Sequence, residues 1–227
     1  VPEALEVLAH LPAPTSNEAL VGVPGAVERA AGDGELLTAA AAHDLTIIED
    51  DIFGDFEPEP SPRLAALDGL ARVIRIGSFS KSVSASVRCG YVAARPDWLD
   101  GLIDMKIATS FGGGRMAAAL LYETLSDGAC RRHMEEVRRK LGRAMDRTIA
   151  RLERLGFTLE LRPRAGMFVW CRLPHGADAG HIAAQCLGDG VVLAPGNAFS
   201  LTGAASQFMR FNVAQCGDDS IFASLER

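Results

Sequence analysis

The stretch GSFSKSVSASVR, residues 77–88, places Ser78, Ser80 and Lys81 directly after an apolar run, with Arg88 seven residues past the lysine. Two hydroxyls and free backbone N–H groups after a strand can cradle a phosphate, and an arginine adds a bidentate, charge-assisted contact. Seven residues span at most about 24 Å, so a loop folding back to share one anion is sterically easy. A lysine amine beside such a cradle attacks once it sheds its proton, a loss favoured by desolvation and cationic neighbours and opposed by the phosphate. That chemistry suits a Schiff base to a phosphorylated aldehyde. The same residues also fit a serine-rich turn with one exposed lysine and a surface arginine. Ser78 and Lys81 match the S-x-x-K pattern of serine acyl-enzymes as well. That chemistry wants the serine opening a helix and later S-D-N and K-T-G elements, and the sequence has neither element.

A second group is IIEDDIFGDF, in which Asp50 and Asp51 end an apolar run. An acid there is costly unless it pairs with a cation or a strong donor. A pyridinium nitrogen is such a partner, and an aspartate that keeps it protonated makes the ring a better electron sink. With the lysine and the phosphate cradle, this points to pyridoxal phosphate. Capping of a turn by the acidic pair is the ordinary alternative. A divalent metal is a third, with no histidine or further carboxylate at ligand spacing. The third group is FMRFNVAQ, where Arg210 sits inside an apolar strand and would need an anion if buried, a carboxylate in a bidentate clamp being the obvious one. An edge-strand arginine facing water is the plainer reading of that residue alone.

These residues need elements to position them. ELLTAAAAHD reads as a helix, and LTIIED, RVIRIGS and CGYVAA read as strands with nearly continuous apolar runs, the pattern of burial on both faces. Helix alternating with strand indicates an α/β layer with a parallel or mixed sheet, and ligands of such sheets gather at the carboxyl ends of strands. Pro96 opens a helix over RPDWLDGLIDMKIA, and RMAAALLYETLSDG follows the glycine run FGGG. A long helix runs from about Ala129 to Leu155, with Met134, Val137, Leu141, Met145, Ile149 and Leu152 on one face. Beyond it, TLELRPRAGMFVWCRLP reads as two strands around a turn, DAGHIAAQCLGDG as a helix, and VVLAPGNAF and QFMRFNVAQ as strands, with a last helix from near Asp218. The expected division is an irregular segment 1–34, an α/β part 35–125 and a smaller α+β part 126–227.

Composition bounds the function classes. Hydrophobic residues at 48% and charged residues at 23% describe a folded soluble chain, and a net charge of −6 gives no bias toward nucleic acid or anionic lipid. The arginines from Arg131 to Arg154 on the long helix read as a solvated basic face, because no aromatic residues are interleaved with them. Five widely spaced cysteines without a C-x-x-C pair fit a reduced, cytoplasmic protein with no bound metal. The first residues lack the basic start of a signal peptide. The uncharged span Gly190–Met209 is broken by Pro195, Gly196 and Asn197, so no membrane helix is expected.

Taken in order, IIEDDIFGDF, GSFSKSVSASVRCGYVAARPDW, RAGMFVWCRLP, VVLAPGNAFS and MRFNVA resemble the fold-type-I, pyridoxal-phosphate-dependent aminotransferases. Within them the chain is most similar to the aminotransferase-like domain of MocR-type (GntR-family) regulators. The resemblance implies an α/β fold, the C-terminal part of the large cofactor-binding domain followed by a small α+β domain. It implies that Lys81 is the Schiff-base lysine and proton shuttle, that Ser78, Ser80 and Arg88 form the phosphate cup, and that Asp50 holds the pyridinium, with Asp51 the alternative one register on. Arg210 would clamp the substrate α-carboxylate. The implied activity is amino-group transfer between an amino acid and a 2-oxo acid, in a homodimer. The alternative functions are a non-catalytic, effector-sensing regulator domain and an inactive fragment. The chain departs from the pattern at Phe53, where the family usually has a tyrosine. It also lacks the Asn-Pro-Thr-Gly element, the earlier half of the large domain and the regulators' winged helix. It therefore reads as a C-terminal half, with about three large-domain strands and an exposed sheet edge.

Overall fold

The computed structural model describes residues 33–126, 128–201 and 203–226; the expected irregular segment 1–34 falls almost wholly outside them. The described chain divides into two compact units, with the boundary between Glu135 and Glu136. The first contains helix α1 (Asp33–Ala42), strand β1 (Ile47–Asp50), helix α2 (Leu64–Asp68), strands β2 (Val73–Ser78) and β3 (Gly90–Ala93), and helices α3 (Pro96–Ser110) and α4 (Arg115–Ser126). Helix α5 (Ala129–Arg154) begins there and continues into the second unit. Strand order is β1-β2-β3, with β1 parallel to β2 and β3 antiparallel to it, so the sheet is mixed.

The β1–α2–β2 crossover has an internal anchor. Glu49, an acid within β1, accepts hydrogen bonds from Leu64 N (2.8 Å) and Ala65 N (3.1 Å), so a strand side chain caps the first turn of α2. Asp68 Oδ2 accepts from Val73 N at 3.0 Å and fixes the start of β2. The expectation that the first strand is buried on both faces does not hold within the described residues. Ile48 in β1 is 50% exposed, and Leu45 just before the strand is 55% exposed.

Gly77 is required by packing. It lies opposite Tyr91, and a Cβ added there would come within 2.2 Å of the Tyr91 ring. Tyr91 in turn lies 6.0 Å from Phe79 and under the Arg75 guanidinium at 5.8 Å. Gly77→Ala should therefore cost about 1–3 kcal/mol in urea unfolding, the usual penalty of overpacking; an unchanged midpoint would show that the ring moves aside freely.

The second unit holds the remainder of α5, strands β4 (Thr158–Leu159) and β5 (Phe168–Arg172), helix α6 (Ala179–Gly188), strands β6 (Ala194–Pro195) and β7 (Phe208–Asn212), and helix α7 (Asp219–Leu225). Its sheet is antiparallel throughout, in the order β4-β5-β7-β6. Alternation sends Val169, Cys171, Met209 and Phe211 into a core with Met145, Ile149 and Leu152 of α5, Phe157, and Phe222 of α7. Phe157 and Phe211 meet edge to face at 5.6 Å. Burial pushes the Cys171 thiol up to about 12, so this cysteine is a packed core residue and not a nucleophile. Of VVLAPGNAF only Ala194–Pro195 is strand. Proline offers no N–H to a ladder, and Gly196 then packs so closely on the Ala205 carbonyl that a Cβ would stand 2.1 Å from it.

Helix α5 behaves as its pattern predicts, with Met134, Met145, Ile149 and Leu152 buried and exposed basic residues pairing along the helix, such as Arg131 with Glu135 at 3.3 Å. Among the described residues no helix is long and apolar enough to cross a membrane, and no group of residues could hold a metal ion.

Candidate functional site

The pleat of the first sheet sorts two adjacent acids onto opposite faces. Asp50 pairs in register with Ile76, so it shares a face with Ile76 and Ser78 at the carboxyl ends of β1 and β2. It is exposed, and among the described residues its carboxylate accepts only from Ile52 N of its own turn, at 3.2 Å. Asp51 lies on the other face with Arg75. Its side chain, 9% exposed, accepts from Arg75 Nε at 3.0 Å and pairs with Arg63 Nε at 2.8 Å. Glu57 contacts Arg63 from the other side at 3.1 Å. Burial alone would pull the Arg63 guanidinium down, but contacts with Asp51 and then Glu57 hold it above its usual value. Gly54 makes room for this pair, since a Cβ there would meet Asp51 Oδ1 at 2.3 Å. Asp51 is thus spent inside the protein, while Asp50 is open to a ligand. The role of Arg75 was readable in principle, because it stands out of place in the apolar run RVIRIGS.

After Ser78 the chain enters a tight loop rather than a helix. Phe79 N donates to Cys89 O (3.0 Å), closing the loop at its base, and Phe79 O accepts from Val83 N (2.9 Å) and Ser84 N (3.2 Å). Val87 and Cys89 are buried with Leu121 of α4, and Phe79 and Val83 pack on that cluster. Ser78 Oγ accepts from Ser80 N at 3.2 Å, which leaves its own O–H free to donate. Because Ser78 ends a strand, the S-x-x-K acyl-enzyme arrangement is not formed.

On that anchored base Lys81 and Arg88 are exposed, and neither makes an ion pair or a hydrogen bond among the described residues. Arg88 has left-handed backbone angles (φ 51°, ψ 40°), a strained conformation for a non-glycine residue and one that ends the short 3-10 turn Ala85–Val87. Ser82, next to the lysine, is 4% exposed and its hydroxyl has no hydrogen-bond partner among the described residues. Phe53, at the position of the family's tyrosine, is half-buried in the turn after β1, 6.3 Å from Phe56.

Arg210 belongs to the second unit. It is half-buried on β7, with Trp170 and Ala194 as its cross-strand neighbours. Burial lowers its pKa. The anion expected of a buried arginine is not supplied by any described residue. The guanidinium carbon instead lies 4.4 Å from the centroid of Phe168 and 4.1 Å from that of Phe199. These two aromatic neighbours carry no motif signal of their own, since a phenylalanine in a strand ordinarily reads as core.

Residues 34–226 match the family Aminotransferase class I and II. Among curated proteins, the chain is 28% identical over 188 residues to an uncharacterized HTH-type transcriptional regulator, YisV, of Bacillus subtilis, covering 81% of this chain and 39% of that one. It is 26% identical to aromatic-amino-acid aminotransferase 1 of Thermococcus litoralis, covering 85% and 47%. It thus spans less than half the length of these relatives. Solved structures include kynurenine aminotransferase of Pyrococcus horikoshii in complex with PMP (26% identity, TM-score 0.77, 86% of this chain and 49% of that one). They also include LysN, the α-aminoadipate aminotransferase of Thermus thermophilus, complexed with N-(5'-phosphopyridoxyl)-L-leucine (27% identity, TM-score 0.75, 86% and 51%). The fold is that of fold-type-I aminotransferases, and the chain belongs to the class I and II aminotransferase family, whose cofactor is pyridoxal 5'-phosphate.

Proposed function

We propose that this chain carries the lysine-bearing part of a pyridoxal-phosphate site, and that the protein moves an amino group between an amino acid and a 2-oxo acid. The observation that supports it most is the division of charges on the first sheet. Asp51, Arg63 and Arg75 pair with one another on one face, whereas Asp50 on the other face, and Lys81 and Arg88 in the loop that follows β2, have no ionic partner among the described residues. Unpaired charges on a well-anchored loop at strand ends are what a charged ligand requires. The donor set fits the cofactor: an amine for its aldehyde, hydroxyls of Ser78 and Ser80 with the Arg88 guanidinium for its phosphate, and a carboxylate for its ring nitrogen.

In this reading Ser78, Ser80 and Arg88 bind the phosphate, and Asp50 holds a proton on the pyridine nitrogen. When bound, pyridoxal phosphate supplies an electron-withdrawing ring that absorbs the electron pair released at the substrate Cα. Lys81 Nζ takes the proton from that Cα and returns it on the other side of the transfer. Arg210 holds the substrate carboxylate through its fork of N–H groups. The similarity to YisV, and the 31% identity over 139 residues to the HTH-type transcriptional regulator NorG of Staphylococcus aureus, support a second reading. In it the same site binds the cofactor and an effector without turnover.

Incubation with pyridoxal phosphate, borohydride reduction and peptide mass mapping should find the adduct on Lys81. Label elsewhere, or none, would sink both readings. Given the label, conversion of an amino acid to its 2-oxo acid in a single turnover supports the enzyme, and binding without conversion supports the sensor.

A further inference from the structure

We infer that Phe168 and Phe199 are positioning residues that hold the Arg210 guanidinium with its N–H donors unspent, ready for the two oxygens of a carboxylate. The inference rests on the proposed reading of Arg210 as the substrate clamp and adds what makes that clamp work.

A guanidinium placed among apolar side chains normally recruits an anion, because desolvating the charge is costly. Arg210 recruits none among the described residues. Two aromatic rings, at 4.4 and 4.1 Å from its Cζ, supply the attraction instead. Ring faces attract the cation without consuming a donor, so the planar fork of five N–H groups keeps its full capacity.

The same sheet face provides an internal contrast. Arg172, on β5, also stacks on an aromatic ring, Phe208, at 4.4 Å. Its donors, however, are used by Glu160 Oε1 (3.2 Å) and Gln207 Oε1 (3.0 Å). One arginine on this face is closed and the other is kept open.

The ring contacts of Arg210 are themselves supported. Phe199 meets Trp170 edge to face at 5.9 Å, and Trp170 stacks on Phe208 at 5.5 Å with an interplanar angle of 9°. Phe199 ends the short 3-10 turn Gly196–Phe199, whose buried Gly196 permits no Cβ. Phe168 is fixed in the β5–β7 ladder, opposite Asn212. An arginine held this way has lost side-chain freedom before its ligand arrives, which lowers the entropic cost of binding.

The test uses the full chain, isotopically labelled and without cofactor, titrated with pyruvate while the Arg210 Nε–Hε resonance is followed by NMR. The wild-type resonance should shift saturably and report a rigid side chain before ligand is added. Phe168→Leu and Phe199→Leu should each weaken pyruvate binding by about 3–10-fold and loosen the free Arg210 side chain. Phe168→Tyr and Phe199→Tyr should restore both properties. Leucine variants that match wild type in affinity and rigidity, or tyrosine variants that fail to rescue, would overturn the inference while leaving the clamp in place. If wild-type Arg210 ignores pyruvate, the inference and the clamp fall together, and borohydride labelling of Lys81 still decides the cofactor reading separately.

Discussion

Asp50→Asn should leave the stability of the chain in urea unfolding unchanged within about 0.5 kcal/mol, while Asp51→Asn should lower it by about 2–3 kcal/mol. The asymmetry comes from one step along a strand. Asp50 is exposed and, among the described residues, bonded only to its own turn. Asp51 holds Arg75 and Arg63 on the far face of the sheet. Removing its charge leaves the partly buried Arg75 guanidinium without an anion among the described residues and Arg63 with Glu57 alone, and an amide NH2 in place of an oxygen turns toward cationic donors. For cofactor binding the order reverses. Asp50→Asn removes a charge-assisted contact to the pyridine nitrogen and should weaken pyridoxal phosphate roughly 10- to 100-fold. Asp51→Asn, read at a temperature where the variant is folded, should change that affinity little. Equal losses of stability at both positions would show that the strand register, and with it the assignment of faces, is wrong.

Lys81→Ala should abolish borohydride-dependent labelling and reduce any amino-group transfer by roughly 10²–10⁴-fold, because one amine both attacks the aldehyde and carries the proton at the substrate Cα. Its side chain is exposed and makes no ion pair among the described residues, so stability should not change. Arg88→Ala supplies the contrast, since it should weaken cofactor affinity by about 10- to 100-fold yet leave label on Lys81 at saturating cofactor. The two variants thus separate chemistry from anchoring. Persistent labelling in Lys81→Ala would move the nucleophile to another lysine.

Much of this was legible in the sequence because the signals are local. The strand ends carrying Asp50 and Ser78, the turn carrying Lys81, Pro96 at the start of α3 and the buried stripe of α5 all follow from residue types at helical or strand spacing. The choice between Asp50 and Asp51 did not, since both acids lie at the same strand end. A strand alternates sides at every residue, so only the pairing of β1 with β2 and the location of Arg75 and Arg63 show which acid is spent. Arg210 stands out in the sequence as an arginine inside an apolar strand. Its aromatic neighbours do not stand out in that way, because Phe199 is distant in sequence and reaches the arginine only through the fold.

Exposure was illegible for the same reason. The run in LTIIED has the composition of a doubly buried strand, but burial depends on what packs across each face of the sheet, which the run itself does not encode, and Ile48 is 50% exposed. The sequence by itself determined the chemical inventory and the elements that carry it: a lysine among hydroxyls, acids at a strand end and an arginine in an apolar strand. Tertiary structure alone decided which of those charges satisfy each other and which stay free, because charge pairing depends on distance through space and not along the chain.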